Sequence, residues 1–297
     1  MLKSIEDICR EISGLEPKTV AVAGISEEEM ILIKQALKER LASFILIDEE
    51  EHIKNLMELH GIGKDEVRIH SVPSAHEAPE MAVELVKRGE ANIPMKGHVH
   101  TSTFMKAILN KEMGITSGGR LSQITMFDGY SGEPQFLTDC AINIAPGLKE
   151  KIEIIENAVK VFNVLYAEDP RVALLGAVET VSDKMPDTLD SAIITQMNRR
   201  GQIKGCIIDG PLSLDNAISE KYARIKNIDS PVAGKAQILV SSDLREANSV
   251  SKAIIHYAGR NACSILAGTR LPVVMTSRTD IQRNKLNTIA MACYLLK

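Results

Sequence analysis

The feature that most constrains the fold is an alternation of short, nearly uninterrupted apolar runs with stretches whose apolar residues recur at helical spacing. Residues 19–23 (Thr-Val-Ala-Val-Ala) read as a buried strand, and Met30, Ile33, Leu37 and Leu41 follow on one helical stripe. Residues 44–47 and 67–70 read as further strands. Ala78, Met81/Ala82 and Leu85/Val86 mark another helix, and residues 91–95 another strand. Strands apolar along their whole length have no solvent face. Alternated with helices, they demand a mostly parallel sheet covered on both sides, the α/β class.

A second series starts after Pro146. Ile152, Ile155, Val159, Phe162 and Leu165/Tyr166 predict a long helix, residues 172–175 a strand, and Leu189, Ile193 and Met197 a helix face. Residues 206–208 form a strand stopped by Gly210-Pro211, and residues 236–240 and 272–275 form two more. Between these two, Val250, Ile254 and Tyr257 share a helix face. Leu286, Ile289/Ala290, Cys293 and Leu296 define a last helix that needs a partner surface. No linker or low-complexity stretch separates the halves. The expected division is residues 1–136 completed by 284–297, and residues 137–283, around a shared cleft. Ligands of such folds bind at strand carboxyl ends.

At 297 residues, 44% hydrophobic and 25% charged, the chain has material for two ordinary globular domains. A formal charge of −4 argues against a nucleic-acid partner, which needs a basic surface, and 3% aromatic residues with no Trp supply few stacking platforms. A small anion needs only a local basic pocket. Cys9, Cys140, Cys206, Cys263 and Cys293 are odd in number and form no CxxC pair, so they read as buried small hydrophobes in a reducing compartment, with no metal site. Residues 1–12 mix Lys3 and Arg10 with Glu6, Asp7 and Glu11 and lack a signal-peptide core. No apolar run approaches the roughly 20 residues of a membrane span. The expectation is a cytoplasmic protein without a membrane partner.

The common nucleotide and hydrolase fingerprints are missing. Gly234-Lys235 is followed by Ala236 and lacks the upstream Gly of a Walker loop, and the turn after the first strand is only Gly24-Ile25-Ser26. No GxSxG elbow occurs. Four strand-end segments carry the remaining polar chemistry. Thr276-Ser277-Arg278-Thr279-Asp280 reads either as a helix start with a surface Arg or as an anion site, with the Arg278 guanidinium as a forked donor. Lys96-Gly97-His98-Val99-His100-Thr101-Ser102 suits a phosphate-contacting loop with Lys106, or an ordinary strand-to-helix turn. Its two His lack a third metal ligand. In residues 137–146, Asp139 and Asn143 suit buried backbone groups better than direct catalysis. Gly210-Pro211 lies in a strand-end turn where the backbone can approach a ligand.

Taken in order, these segments together with residues 233–239 (Ala-Gly-Lys-Ala-Gln-Ile-Leu) resemble the phosphate acetyl/butyryltransferase family, from about residue 90 to the end. The shortness of the chain, the Ser-Arg-x-Asp segment and Lys285 are most similar to its phosphate butyryltransferases. The resemblance implies two three-layer α/β/α domains with an interdomain active site, usually in a homo-oligomer. It implies reversible transfer of a butanoyl group between coenzyme A and phosphate through a ternary complex. Coenzyme A is then a substrate, and no tightly bound cofactor is expected.

By that resemblance Ser277 orients the thiol, Arg278 binds phosphate and stabilises charge, and Thr101, Ser102 and Lys106 complete the phosphate side. Asp139, Asn143, Gly210, Pro211, Gly234 and Lys235 belong to the substrate cleft. Two departures stand out. Lys106 replaces an Arg common in acetyltransferase relatives, and a lone ammonium cannot bind bidentately. Asn284 stands where those relatives carry an Asp proposed as base, so Asp280 either takes that role or only caps the last helix. Alternatives are a phosphate acetyltransferase or broad short-chain enzyme, and a non-catalytic acyl-CoA-binding module.

Overall fold

The computed structural model describes residues 2–297. In chain order the elements begin α1 (Ile5–Ile12), β1 (Thr19–Ala23), α2 (Glu27–Lys38), β2 (Ser43–Asp48), α3 (Glu50–His60), β3 (Arg68–Ser71), α4 (Ala78–Lys87), β4 (Ile93–Lys96) and α5 (Thr101–Leu109). There follow β5 (Ser122–Asp128), β6 (Pro134–Thr138), α6 (Leu148–Tyr166), β7 (Arg171–Leu175), α7 (Pro186–Arg199), β8 (Ile207–Leu212), α8 (Leu214–Ile218), α9 (Glu220–Ile225) and β9 (Ile238–Val240). The last are α10 (Leu244–Lys252) running into a π-helical turn (Ala253–Tyr257), β10 (Ala262–Ala267), β11 (Val274–Met275) and α11 (Gln282–Tyr294). No helix among the described residues is long and apolar enough to cross a membrane.

The chain forms two compact units, one split and one continuous. The split unit joins Glu6–Gly119 to Cys263–Lys297, and the continuous unit holds Arg120–Ala262, with residues 2–5 packed on it. The expected boundaries near residues 136 and 283 are therefore displaced to Gly119/Arg120 and Ala262/Cys263. The cause is strand pairing. β5 and β6 form a hairpin in the second sheet, carrying residues from 122 onward with it. β11 pairs with β4, so the Ser277 loop belongs to the split unit.

In the split unit the sheet order is β11-β4-β1-β2-β3, and every recorded pairing is parallel. β1 and β2 are buried over almost their whole length, as the uninterrupted apolar runs require. α2 opens with a capping box, Ser26 bonding backward and forward with Glu29, which satisfies orphan N–H groups of its first turn. α11 is buried on every side from Asn284 through Cys293. Four of those ten residues, Asn284, Lys285, Asn287 and Thr288, are polar.

In the continuous unit the order is β10-β5-β6-β9-β7-β8. β5 and β6 are antiparallel, whereas β6, β9, β7 and β8 pair in parallel. Its core contains Leu137, Cys140, Ala173, Leu175, Leu212 and Leu239. Phe136, Phe162 and Tyr166 form an aromatic cluster, with ring centroids 5.4 Å and 4.6 Å apart along the chain of three.

Two helix faces differ from the sequence reading. On α7 the buried residues are Thr188, Ser191, Ile194 and Thr195, and Leu189 and Ile193 face solvent. Small hydroxyl residues suit close packing when they return a hydrogen bond to their own helix, as Ser191 does to the Asp187 carbonyl at 2.9 Å. Tyr257 is 95% exposed, because the π-helical turn breaks the 3.6-residue period that had placed it beside Ile254.

Candidate active site

The polar recess of the split unit forms where β1, β4 and β11 end. These strands are neighbours, with Lys96 of β4 registered between Ala23 of β1 and Met275 of β11. From β1 the chain crosses through α2 to β2 on one side, while β11 lies on the other side of β4. A sheet whose connections diverge in this way leaves a crevice at its carboxyl edge. The backbones meet closely there. Gly97 N–H donates to the Ala23 carbonyl at 3.0 Å, and His98 N–H donates to the Gly24 carbonyl at 2.9 Å. A Cβ on Gly97 would overlap the Gly24 carbonyl, so only glycine fits between the two strand ends. Asp48 pins the β1–α2 turn by accepting from Ile25 N–H at 2.8 Å.

The recess has a volume of about 90 Å³ and is lined by Ser26, Glu28, Glu29, Lys96, Gly97, His98, Thr276, Ser277, Arg278 and Lys285. Its charges are uneven. Glu29 is held in the α2 capping box, and Glu28 pairs with Lys285 at 3.3 Å. Arg278 forms no hydrogen bond or ion pair with another described residue, which leaves its guanidinium fork open to an anion. Lys96 is only 7% exposed, and among the described residues its ammonium donates to the Gly97 carbonyl alone, at 3.2 Å. Burial holds the Lys96 ammonium below the usual lysine range. Arg278 and Lys285 push in the same direction, and Glu29 opposes them.

Ser277 and Arg278 sit on the exposed loop between β11 and α11. The Asp280 carboxylate accepts from Ser277 N–H at 2.8 Å, and Asp280 N–H donates back to the Ser277 carbonyl at 3.1 Å. Ser277 Oγ lies 3.1 Å from Thr279 Oγ1. The helix N-cap is Ile281, with no side-chain cap, so Asp280 closes the turn that presents Ser277 rather than capping α11. Asn284 is buried inside α11 and does not line the recess.

Thr101 and Ser102 lie in the first turn of α5 rather than in a loop, and Lys106 lies one turn further on. All three are exposed, and none lines the recess. The α5 N-cap is His100, without a side-chain bond, which leaves the helix N-terminus open to an anion. His98 lines the recess. No group of three or more His, Cys, Asp or Glu among the described residues is placed to hold a metal ion.

The other expected substrate residues lie in the continuous unit. Asp139 accepts from the N–H groups of Gln123, Ala141, Ile142 and Asn143 at 2.9–3.2 Å. Asn143 donates to the Leu121 carbonyl at 2.8 Å and accepts from Arg120 at 2.8 Å. Both residues therefore satisfy buried backbone, the blander of their two readings. Gly210 and Pro211 are inside β8, where a Cβ on Gly210 would meet Leu174 Cβ at 2.7 Å. Gly234 has φ +77° and lies against the Glu220 backbone, while Lys235 pairs with Glu220 at 3.5 Å.

All five cysteines are buried, and none lines the recess. Burial pushes the thiols of Cys140 and Cys293 up to about 12 and that of Cys206 up to about 11, far from nucleophilic.

Lys96 and Lys285, named above only within a segment and a resemblance, line the recess, and Glu28 joins them there. The signal for Lys96 was a lysine ending a fully apolar strand directly before Gly, and for Lys285 a lysine among apolar helix positions. Both positions bury a charge that a structural role alone does not call for.

Residues 48–293 match the family described as phosphate acetyl/butaryl transferase. A phosphate butyryltransferase of Clostridium acetobutylicum is 40% identical over 295 residues, covering 98% of each chain. A phosphate acetyltransferase of Thermotoga maritima is 39% identical over 285 residues, covering 95% of this chain and 96% of that one. A crystal structure of a branched-chain phosphotransacylase from Enterococcus faecalis V583 superposes with a TM-score of 0.85 at 32% identity, over 94% of this chain and 99% of that one. With the match running through both units and most of the length, this chain belongs to the phosphate acetyl/butaryl transferase family.

Proposed function

We propose that this chain is an acyltransferase of the phosphate butyryltransferase type, which moves a butanoyl group reversibly between coenzyme A and inorganic phosphate in a ternary complex. The observation that carries this reading is an unpaired Arg278 beside Ser277 in a recess with two buried lysines. In the direction of thioester synthesis, the sulfur of coenzyme A attacks the acyl phosphate carbonyl. A C–S bond forms, the C–O bond to phosphorus breaks, and the thiol proton leaves with the departing phosphate. Ser277 hydrogen-bonds the thiol, and Arg278 holds the phosphate and neutralises its charge. Thr101 and Ser102 extend the anion contacts at the α5 N-terminus, and Lys106 adds a positive charge in its last turn.

A free thiol ionises at roughly 8.5, and neighbouring cations lower that value. The cationic recess therefore supplies the thiolate without a carboxylate base. The burial of every cysteine supports direct transfer over an acyl-cysteine intermediate. The 39% identical Thermotoga maritima relative, named a phosphate acetyltransferase, favours activity on acetyl groups as well. One methylene changes binding by only about 1–3 kcal/mol.

The test mixes purified protein with acyl-CoA of two to six carbons, with and without phosphate, and follows free thiol. Phosphate-dependent release, strongest near four carbons, is expected. Release that ignores phosphate indicates a thioesterase, and no release with any chain removes the transferase reading.

A further inference from the structure

Lys96 ends β4, registered between the last residues of β1 and β11, and the largely buried residue lines the Ser277–Arg278 recess. An ammonium has three N–H donors. Only the Gly97 carbonyl, at 3.2 Å, accepts one of them. No carboxylate of the described residues lies within ion-pair distance, since Glu28 is taken by Lys285 and Glu29 by the α2 capping box. A buried cation with unfilled donors beside two further cations is destabilising by itself, and such sites persist when an anion completes them.

We propose that Lys96 is a phosphate-contacting catalytic residue, donating to the oxygens of the phosphoryl group from the β4 side while Arg278 binds from the β11 side. This assignment rests on the reading that phosphate is a substrate of this recess. Two strand ends then grip one anion, and each cation relieves the repulsion the other experiences. Negative charge grows on phosphate as the acyl bond breaks, so the same contacts strengthen along the reaction.

Two measurements test this, one without substitution. Wild-type protein is treated with an amine-reactive acylating reagent at rising concentrations of inorganic phosphate, and modification of Lys96 is read by peptide mass spectrometry against surface Lys3 and Lys64. Phosphate is expected to protect Lys96 alone. In parallel, Lys96→Met is expected to lower kcat/KM for phosphate by about 100-fold while the KM for acyl-CoA stays within about threefold. It should also abolish the rise in Tm that phosphate gives the wild type, and Lys96→Arg should recover part of both.

The pH dependence supplies a third readout, taken with sulfate because its charge is constant. In wild type, sulfate stabilisation should fade as pH rises and Lys96 loses its proton below the usual lysine range, with His98, Glu28, Glu29, Arg278 and Lys285 as the other charges facing it. Lys96→Met should lack that limb. Unprotected Lys96 in an enzyme that turns over overturns the assignment, as does a folded Lys96→Met variant with wild-type phosphate dependence. Protection of Lys96 without turnover in wild type keeps the phosphate contact and removes the transferase reading, so the two failures are separable. Should Lys96→Met fail to fold, the protection experiment and Lys96→Arg decide.

Discussion

Replacing Asp280 with Asn separates a proton acceptor from a turn-former. The Asp280 carboxylate accepts from Ser277 N–H at 2.8 Å, and the turn is closed by the return bond of 3.1 Å. Asn keeps a carbonyl oxygen in the same place and loses only the charge. A bond to a charged acceptor is roughly twice as strong as a neutral one, and solvent at this partly exposed loop screens the difference. The expected loss is about 0.5–1 kcal/mol, or a fall in Tm of about 1–4 °C for a unit of this size. If Asp280 only shapes the loop, turnover should fall less than about tenfold, through slight misplacement of Ser277. Loss of a general base costs about 100- to 10,000-fold instead. The assay is phosphate-dependent thiol release alongside a thermal melt. A fall of about a thousandfold in kcat with an unchanged melt would refute the turn-forming role and make Asp280 the base.

Gly97→Ala forces a Cβ against the carbonyls of Gly24 and Ala23, the second at 2.9 Å, and is expected to destabilise by about 3 kcal/mol or more, read as a lower urea midpoint at unchanged slope. A wild-type midpoint would show that the strand ends separate freely. The native protein should show no rapidly reacting thiol toward a chromogenic disulfide at pH 8, with five appearing after denaturation, because burial raises the thiols of Cys9, Cys140, Cys206 and Cys293 and Cys263 is buried too. Glu179 is lowered by its bond to Lys226, and Asp215 by Ser213 and then Lys226. Depressed carboxylates stabilise the fold above their unfolded values of 4.5 and 3.8 and lose that contribution as pH falls through the folded ones. Lys226→Gln should therefore be less stable than wild type at neutral pH, with the gap closing on acidification. A gap that widens in acid would contradict this.

Much of the fold was legible because buried parallel strands announce themselves. β1 occupies residues 19–23 as read, and α11 covers the predicted apolar stripe from Leu286 to Cys293, with Leu296 in the turn beyond it. β5, β6 and β10 were missed because their polar residues interrupt the apolar pattern; Gln123 and Thr125 sit inside β5, and Gln135 inside β6. The Gly129-Tyr-Ser-Gly-Glu133 turn was the available signal for a hairpin. In the candidate site, Ser277 and Arg278 could be named from their hydroxyl and guanidinium chemistry at a strand end. Lys96 and Lys285 could not be weighed in the same way, because one-dimensional spacing does not reveal that three cations converge where β4, β11 and α11 meet. Nor does it reveal that Asp139 is consumed by backbone donors.

The return of β11 and α11 to a sheet begun by β1 carries a consequence for synthesis. While the ribosome translates Arg120–Ala262, the split unit already has β1 to β4 but lacks the strand that neighbours β4 and the helix buried from Asn284 to Cys293. Its sheet edge and apolar surface must wait, exposed or held by a chaperone, for an entire second unit to be made. The loop bearing Ser277 and Arg278 arrives with that final segment. A polypeptide aborted between Ala262 and that loop has every residue of the Arg120–Ala262 unit, yet it has no assembled recess. The recess waits on synthesis of Cys263–Lys297.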